Sequence, residues 1–164
     1  MIAIERNGAG RRAWTAAWIV ACALLGQTAA GQEALPARDA EEIERLSVRY
    51  ADRLAACDAA GFADLFAPDG AFVSGFRGEM KGRARLIELV ETERHCRPVN
   101  RVPLKGPRTL PTLTVQAAPN GARATGVLPG VGQYEDTYVK TADGWRFLVR
   151  EFLTSDEVLA RQRK

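Results

Sequence analysis

The sequence holds one histidine, His95, so any imidazole chemistry near neutral pH must use it. A lone histidine with scattered acids makes no metal-ligand set of familiar spacing, and no CxxC pair is present. The expectation is therefore neither metal nor cofactor. No run of five or more Lys/Arg residues follows residue 30, which argues against nucleic acid as a partner. No internal repeat or low-complexity segment breaks the chain. The longest apolar run, Ala13 to Leu25, is about 13 residues, too short to span a membrane.

That run has another reading. Arg11 and Arg12 precede it, and Thr28-Ala29-Ala30 follows as a small-residue cleavage site, the layout of a secretory signal. The expected organisation is a signal peptide over 1–30, a short leader over 31–38, one domain over 39–154 and a polar, fraying tail over 155–164. The product would be exported to periplasm or medium, with no membrane attachment after cleavage. A lipoprotein box ending at Cys22 is a weaker alternative, because Ala23-Leu24-Leu25 continues the apolar core. Cleavage would remove Arg6, Arg11, Arg12 and Glu5, taking the net charge from +3 to about +1. The basic character thus belongs partly to the leader. Cys57 and Cys96 would remain, and an oxidising compartment permits either a disulfide or two separate buried thiols.

The composition of the whole chain is that of a soluble globular protein, 46% hydrophobic and 26% charged. Ile43, Leu46, Tyr50, Leu54 and Cys57 recur at helical spacing and predict a first helix with one buried stripe, N-capped at Asp39. Asp58 continues the stripe, where a carboxylate must be paired or hydrogen-bonded. It can cap a short second helix, Ala59 to Phe66, or line a pocket. Pro68-Asp69-Gly70 reads as a turn, Ala71 to Phe76 and Glu79 to Lys81 as strands, and Gly82 to Arg94 as a third helix. Strands are expected over Val99 to Leu104, Thr109 to Ala117 and Arg123 to Leu128, with Asn120-Gly121 as a hairpin turn. Gly132 to Thr141 and Trp145 to Leu153 form a last hairpin. Helices followed by strands in series give α+β, with three N-terminal helices on a curved antiparallel sheet.

Candidate chemistry concentrates at a few residues. An Asp58 carboxylate holding one ring nitrogen of His95 would make an acid–base dyad. Tyr134, Asp136 and Tyr138 alternate onto one strand face, a combination suited to a pocket wall. On the last strand, simple alternation puts Trp145, Phe147 and Val149 on one face and Arg146, Leu148, Arg150 and Phe152 on the other. Trp145 is either a ligand platform or core. Arg150 has Asp136 or Glu135 as its nearest available partners.

Three segments carry a resemblance. The run RYADRLAACDAAGFADLFAPDGAF, then Arg94-His95 with Asn100 beyond, then GQYEDTYVKTADGWRFLVREF, resembles the SnoaL-like branch of the nuclear transport factor 2-like superfamily over Ala40 to Phe152. The resemblance implies a cone-shaped α+β fold around a hydrophobic pocket, and dimers are common in such families. Its members include polyketide cyclases, dehydratases, a dehydrochlorinase, steroid isomerase relatives and proteins without known activity. It implies that Asp58 matches the catalytic Asp at the end of the first helix and His95 the catalytic His after the third. The His-to-Asn interval is one residue longer than usual here, with Pro98 between, so counting back from Asn100 puts Cys96 in the histidine's place. If Asp58 and His95 approach, Cys57 and Cys96 would also be neighbours, and a disulfide would tie the first helix to the pocket rim. On this reading the protein is a cofactor-independent lyase or isomerase. Tyr50, Tyr134, Asp136 and Trp145 would hold a small, partly apolar organic ligand. The alternatives are a non-catalytic exported binder, or an interaction module that dimerises through an apolar outer sheet face.

Overall fold

The computed structural model describes residues 34–93, 95–100 and 102–163, without the side chain of Asn100. The signal-like stretch, Cys22, Arg94 and the Asn100 side chain lie outside the described residues.

Helix α1 (Ala37–Ala55) buries the expected stripe, with Ile43 and Leu46 fully buried and Tyr50 nearly so. It begins three residues earlier than the sequence suggests, inside the expected leader, and Pro36 occupies the cap position. Proline suits this place because the first helical turn has no use for its missing N–H. Asp39 is therefore not the cap. It lies in the first turn and pairs with Lys140 at 2.8 Å.

The end of α1 is a left-handed stop. Cys57 has φ of 57°, and Asp58 N–H donates back to the Arg53 carbonyl at 3.0 Å. That bond pattern closes a helix most often through glycine. Asp58 then caps α2 (Ala59–Ala63), its Oδ1 accepting from Gly61 N–H at 2.9 Å. A Cβ on Gly61 would meet Asp58 Oδ2 at 2.3 Å, so the cap requires glycine there.

The sheet contains β1 (Phe66–Ser74), β2 (Gly78–Lys81), β3 (Thr112–Ala118), β4 (Gly121–Leu128), β5 (Gly132–Thr141) and β6 (Gly144–Thr154), in the order β2-β1-β6-β5-β4-β3. It is mixed rather than purely antiparallel, because β1 runs parallel to β6. The expected turn at Pro68-Asp69-Gly70 is a bulge within β1, and Gly70 lies where a Cβ would meet the Phe147 carbonyl oxygen at 2.8 Å. Helix α3 (Gly82–Glu91) packs on α2 and β1, and α1 packs on β6. Between α1 and the sheet, Tyr50, Phe62, Phe66, Tyr138 and Phe147 form an aromatic cluster with adjacent rings about 5–6 Å apart.

Two further expectations fail for physical reasons. The strand expected over Val99 to Leu104 is a 3-10 turn, Pro98–Asn100, followed by a loop. Pro98 and Pro103 cannot donate to a ladder. Val99 and Val102 are 85% and 65% exposed, so the apolar run has no sheet to bury against. The loop is instead held by Leu104 N–H donating to the Ala55 carbonyl at 2.9 Å. The tail expected to fray is helix α4 (Ser155–Gln162), started by a capping box between Thr154 and Glu157 and packed on β5 and β6. Arg161 ties it to Glu135 and Glu151.

Candidate functional site

A β-bulge decides which side chains meet beneath α1. Between β5 and β6, Asp136 faces Arg150 and Thr137 faces Val149, but Tyr138 faces Phe147, leaving Leu148 as the extra residue. Simple alternation put Arg150 on the face opposite Phe147. The bulge moves it onto the same inward face as Phe147, where it is fully buried.

There the guanidinium is caged by rings. Its central carbon lies 3.9 Å from the Tyr134 ring centre, 4.1 Å from that of Tyr50 and 4.7 Å from that of Phe147. Such cation–ring contacts are strongest when water is excluded. Arg150 Nη2 donates to Ser47 Oγ at 3.4 Å, and Nε stands 3.7 Å from Asp136 Oδ1, beyond hydrogen-bond reach. Asp136 Oδ2 accepts from the Tyr138 hydroxyl at 2.8 Å. Arg150 Nε and Nη1 have no hydrogen-bond partner among the described residues.

Burial raises the Asp136 carboxyl pKa, against the opposing pull of Arg150 and the Tyr138 hydrogen bond. Burial works the other way on Arg150, but Asp136 and the surrounding tyrosines outweigh it and leave its pKa raised. Burial also lifts the Tyr50, Tyr134 and Tyr138 hydroxyls, so all three remain protonated at neutral pH.

Above this cluster lies a cavity of about 200 Å³, walled by α1, by Tyr134, Leu128 and Arg150 from the sheet, and by the 104–111 loop. His95 is on its wall. A second, mainly apolar cavity of about 240 Å³ shares Tyr50, Leu54, Leu128 and Tyr134 with it and continues toward Phe76, Leu89 and Phe152, with Glu93, which pairs with Arg77, on its wall. Leu54 and Leu128 thus give both cavities apolar walls, while tyrosine rings carry the polar tips.

The expected dyad does not form. His95 Nε2 lies 3.2 Å from the Leu54 carbonyl oxygen. A carbonyl only accepts, so Nε2 carries the proton of this bond. Asp58 spends its oxygens elsewhere, Oδ1 on Gly61 N–H and Oδ2 on Arg53 at 2.6 Å. The Gly61 N–H, opposed by burial and aided by Arg53, holds the Asp58 carboxyl below its ordinary pKa. Asp58 lines a different cleft, with Cys57, Cys96 and Pro98.

Cys57 and Cys96 are joined by a disulfide with Cα atoms 5.3 Å apart, which ties the end of α1 to the segment carrying His95. The His95 ring and the two sulfurs lie within 4.8 Å of one another. Both sulfurs are spent in the bond, so the trio offers one free donor.

Of the other expected residues, Tyr50 and Tyr134 line the cavity. Asp136 does not line it, but stands 3.7 Å from Arg150, which does, and accepts from the Tyr138 hydroxyl. Trp145 lines neither cavity. It is core, packed beneath Lys140 at the far end of the hairpin, with its backbone N–H on Glu42. Sequence reasoning missed Ser47 and Arg108 and left Arg150 as a mere ion-pair partner. Ser47 was visible, four residues after Ile43 on the buried stripe.

A family model described as a SnoaL-like domain matches residues 36–151. The chain belongs to the SnoaL-like family. Structures solved for other proteins share the fold. A nuclear transport factor 2-like protein from Novosphingobium aromaticivorans is 25% identical, with a TM-score of 0.61 over 77% of this chain and 88% of that one. A Catenulispora acidiphila protein in complex with S-DNPA is 18% identical, with a TM-score of 0.60 over 76% and 99%. ActVI-ORFA from Streptomyces coelicolor is 18% identical, with a TM-score of 0.53 over 71% and 97%. No curated protein matches the sequence. The SnoaL-like fold explains the arrangement above: helices cover one face of the curved sheet, and the cavities lie between the two layers.

Proposed function

We propose that this SnoaL-like protein holds a small, partly apolar organic molecule in the cavity between α1 and the sheet and acts on it as a cofactor-independent lyase or isomerase. The supporting observation is the placement of His95. Its ring reaches the wall of a cavity of about 200 Å³ with Nε2 anchored on the Leu54 carbonyl. Nδ1 is then the base, able to take a proton from a carbon beside a carbonyl or leaving group. Tyr50 and Tyr134, kept protonated by burial, are donors to the oxygen on which charge develops.

A second reading is a non-catalytic binder. It is favoured by Asp58, whose carboxylate serves the α2 cap and Arg53 rather than the imidazole. The interaction-module reading has less support, because the outer sheet face carries Thr114, Gln116, Arg123, Glu135 and Glu151 rather than an apolar patch. A homodimer using that face would be polar, and size-exclusion chromatography at two salt concentrations tests it. Export is supported by the Cys57–Cys96 disulfide, since such bonds persist in oxidising compartments.

The experiment separating the first two readings is a screen of hydroxy- and halo-carbonyl compounds with wild type and His95→Gln. Turnover by wild type that falls at least about 100-fold in the variant, with ligand affinity kept, supports the enzyme. Binding without turnover in both leaves the binder.

A further inference from the structure

The 200 Å³ cavity carries a charge pattern that its apolar lining conceals. Among the described residues on its wall are Arg108, Arg150 and His95, and none is an acid. The one acid near Arg150, Asp136, does not line the cavity and spends one oxygen on Tyr138. Arg150 is fully buried, yet its Nε and Nη1 find no hydrogen-bond partner among the described residues. Arg108 anchors the loop through the Gly106 and Leu104 carbonyls, while its buried Nε also lacks a partner. Buried guanidinium N–H groups without acceptors are costly, and one protein acceptor 3.7 Å away does not satisfy them.

We infer that the cavity takes a small aromatic or unsaturated carboxylate, its anionic group received by the buried Arg150 and by Arg108 and its apolar body lying along Leu54, Leu128 and the tyrosine rings. A planar carboxylate suits a guanidinium better than a point anion does, because two parallel N–H groups meet two oxygens. The tyrosine rings on either side of Arg150 fix the guanidinium plane, so its orientation is set before a ligand arrives. His95 lies on the wall of the same cavity. This deepens the small-molecule reading above and rests on it.

The test uses the protein with its disulfide intact and two probes of matched shape, cinnamate and cinnamamide. Affinities are measured by calorimetry and the site is mapped by NMR shift changes. Cinnamate binding at least about tenfold tighter than cinnamamide, with shifts at His95 and Tyr134, supports the inference. Arg108→Gln, a change at the cavity wall that leaves the Arg150 cage intact, then weakens cinnamate several-fold and leaves cinnamamide unchanged. Equal affinities, or a preference for the amide, overturn the anion inference while the pocket reading stands. Shifts confined to another surface overturn the inference, and binding of neither probe overturns it together with the pocket reading.

Discussion

Arg150 Nε stands 3.7 Å from Asp136 Oδ1, and the two side chains are 1% and 0% exposed. Neither charge reaches water, and the approach is too long for a hydrogen bond. Such a pair adds little by itself, but removing one member leaves the other stranded. Asp136→Ala is expected to cost about 3–5 kcal/mol in chemical denaturation, because Arg150 then keeps its burial and loses its counter-charge. Asp136→Leu combined with Arg150→Met should recover most of that loss. A double variant as unstable as the single would show that the ring cage, not the charge balance, carries the cluster.

Loss of the disulfide should be felt in both fold and site. Cys57 and Cys96 are 39 residues apart in sequence, and their bond fixes the left-handed stop of α1 as well as the His95 segment. The Cys57→Ser/Cys96→Ser variant is expected to lose about 2–4 kcal/mol. Hydrogen exchange should rise first over residues 95–104, where Val102 and Leu104 donate to His95 and Ala55. Unchanged protection there would mean the loop is held by those bonds alone.

Asp58 gives a pH signature of known sign. Its pKa in the folded protein lies below the ordinary 3.8, so its contribution is fully present above that value and disappears as pH falls through the folded pKa. Asp58→Asn keeps an acceptor for Gly61 N–H but loses the charge facing Arg53. Wild type should exceed the variant by no more than about 1 kcal/mol at pH 7, with the gap closing below pH 3.8. Gly61→Ala should cost about 1 kcal/mol at neutral pH, since the new methyl displaces the capping carboxylate. Denaturant titrations across pH 2–7 read both effects. A gap that widens on acidification contradicts the assignment of Asp58 as a charged cap.

Much of the architecture was legible. The Ile43–Leu46–Tyr50 stripe marked α1, Asn120-Gly121 marked the β3–β4 turn, and β5 begins and ends where its pattern predicted. The failures have two causes, a partner distant in sequence or a local cap that the pattern did not show. Alternation cannot show a bulge, so Leu148 hid the fact that Arg150 faces inward. An apolar run between prolines cannot show that no strand adjoins it, as at Val99 to Leu104. A resemblance placed Asp58 and His95 in one site, yet the cap geometry around Gly61 and Arg53 claims the carboxylate first. Tyr50 and Tyr134 line the cavity, and their inward placement is the part that helical and strand spacing could show.

His95 is held by the Leu54 carbonyl rather than by Asp58. The chain has a single histidine, so a nitrogen-detected NMR spectrum of the protein at pH 8 contains one imidazole. The expected result is a proton on Nε2 hydrogen-bonded to the Leu54 carbonyl, and the same spectrum in Asp58→Ala. A ring protonated at Nδ1, or a spectrum that changes when Asp58 is removed, would contradict the assignment of Nδ1 as the base and return the carboxylate to the site.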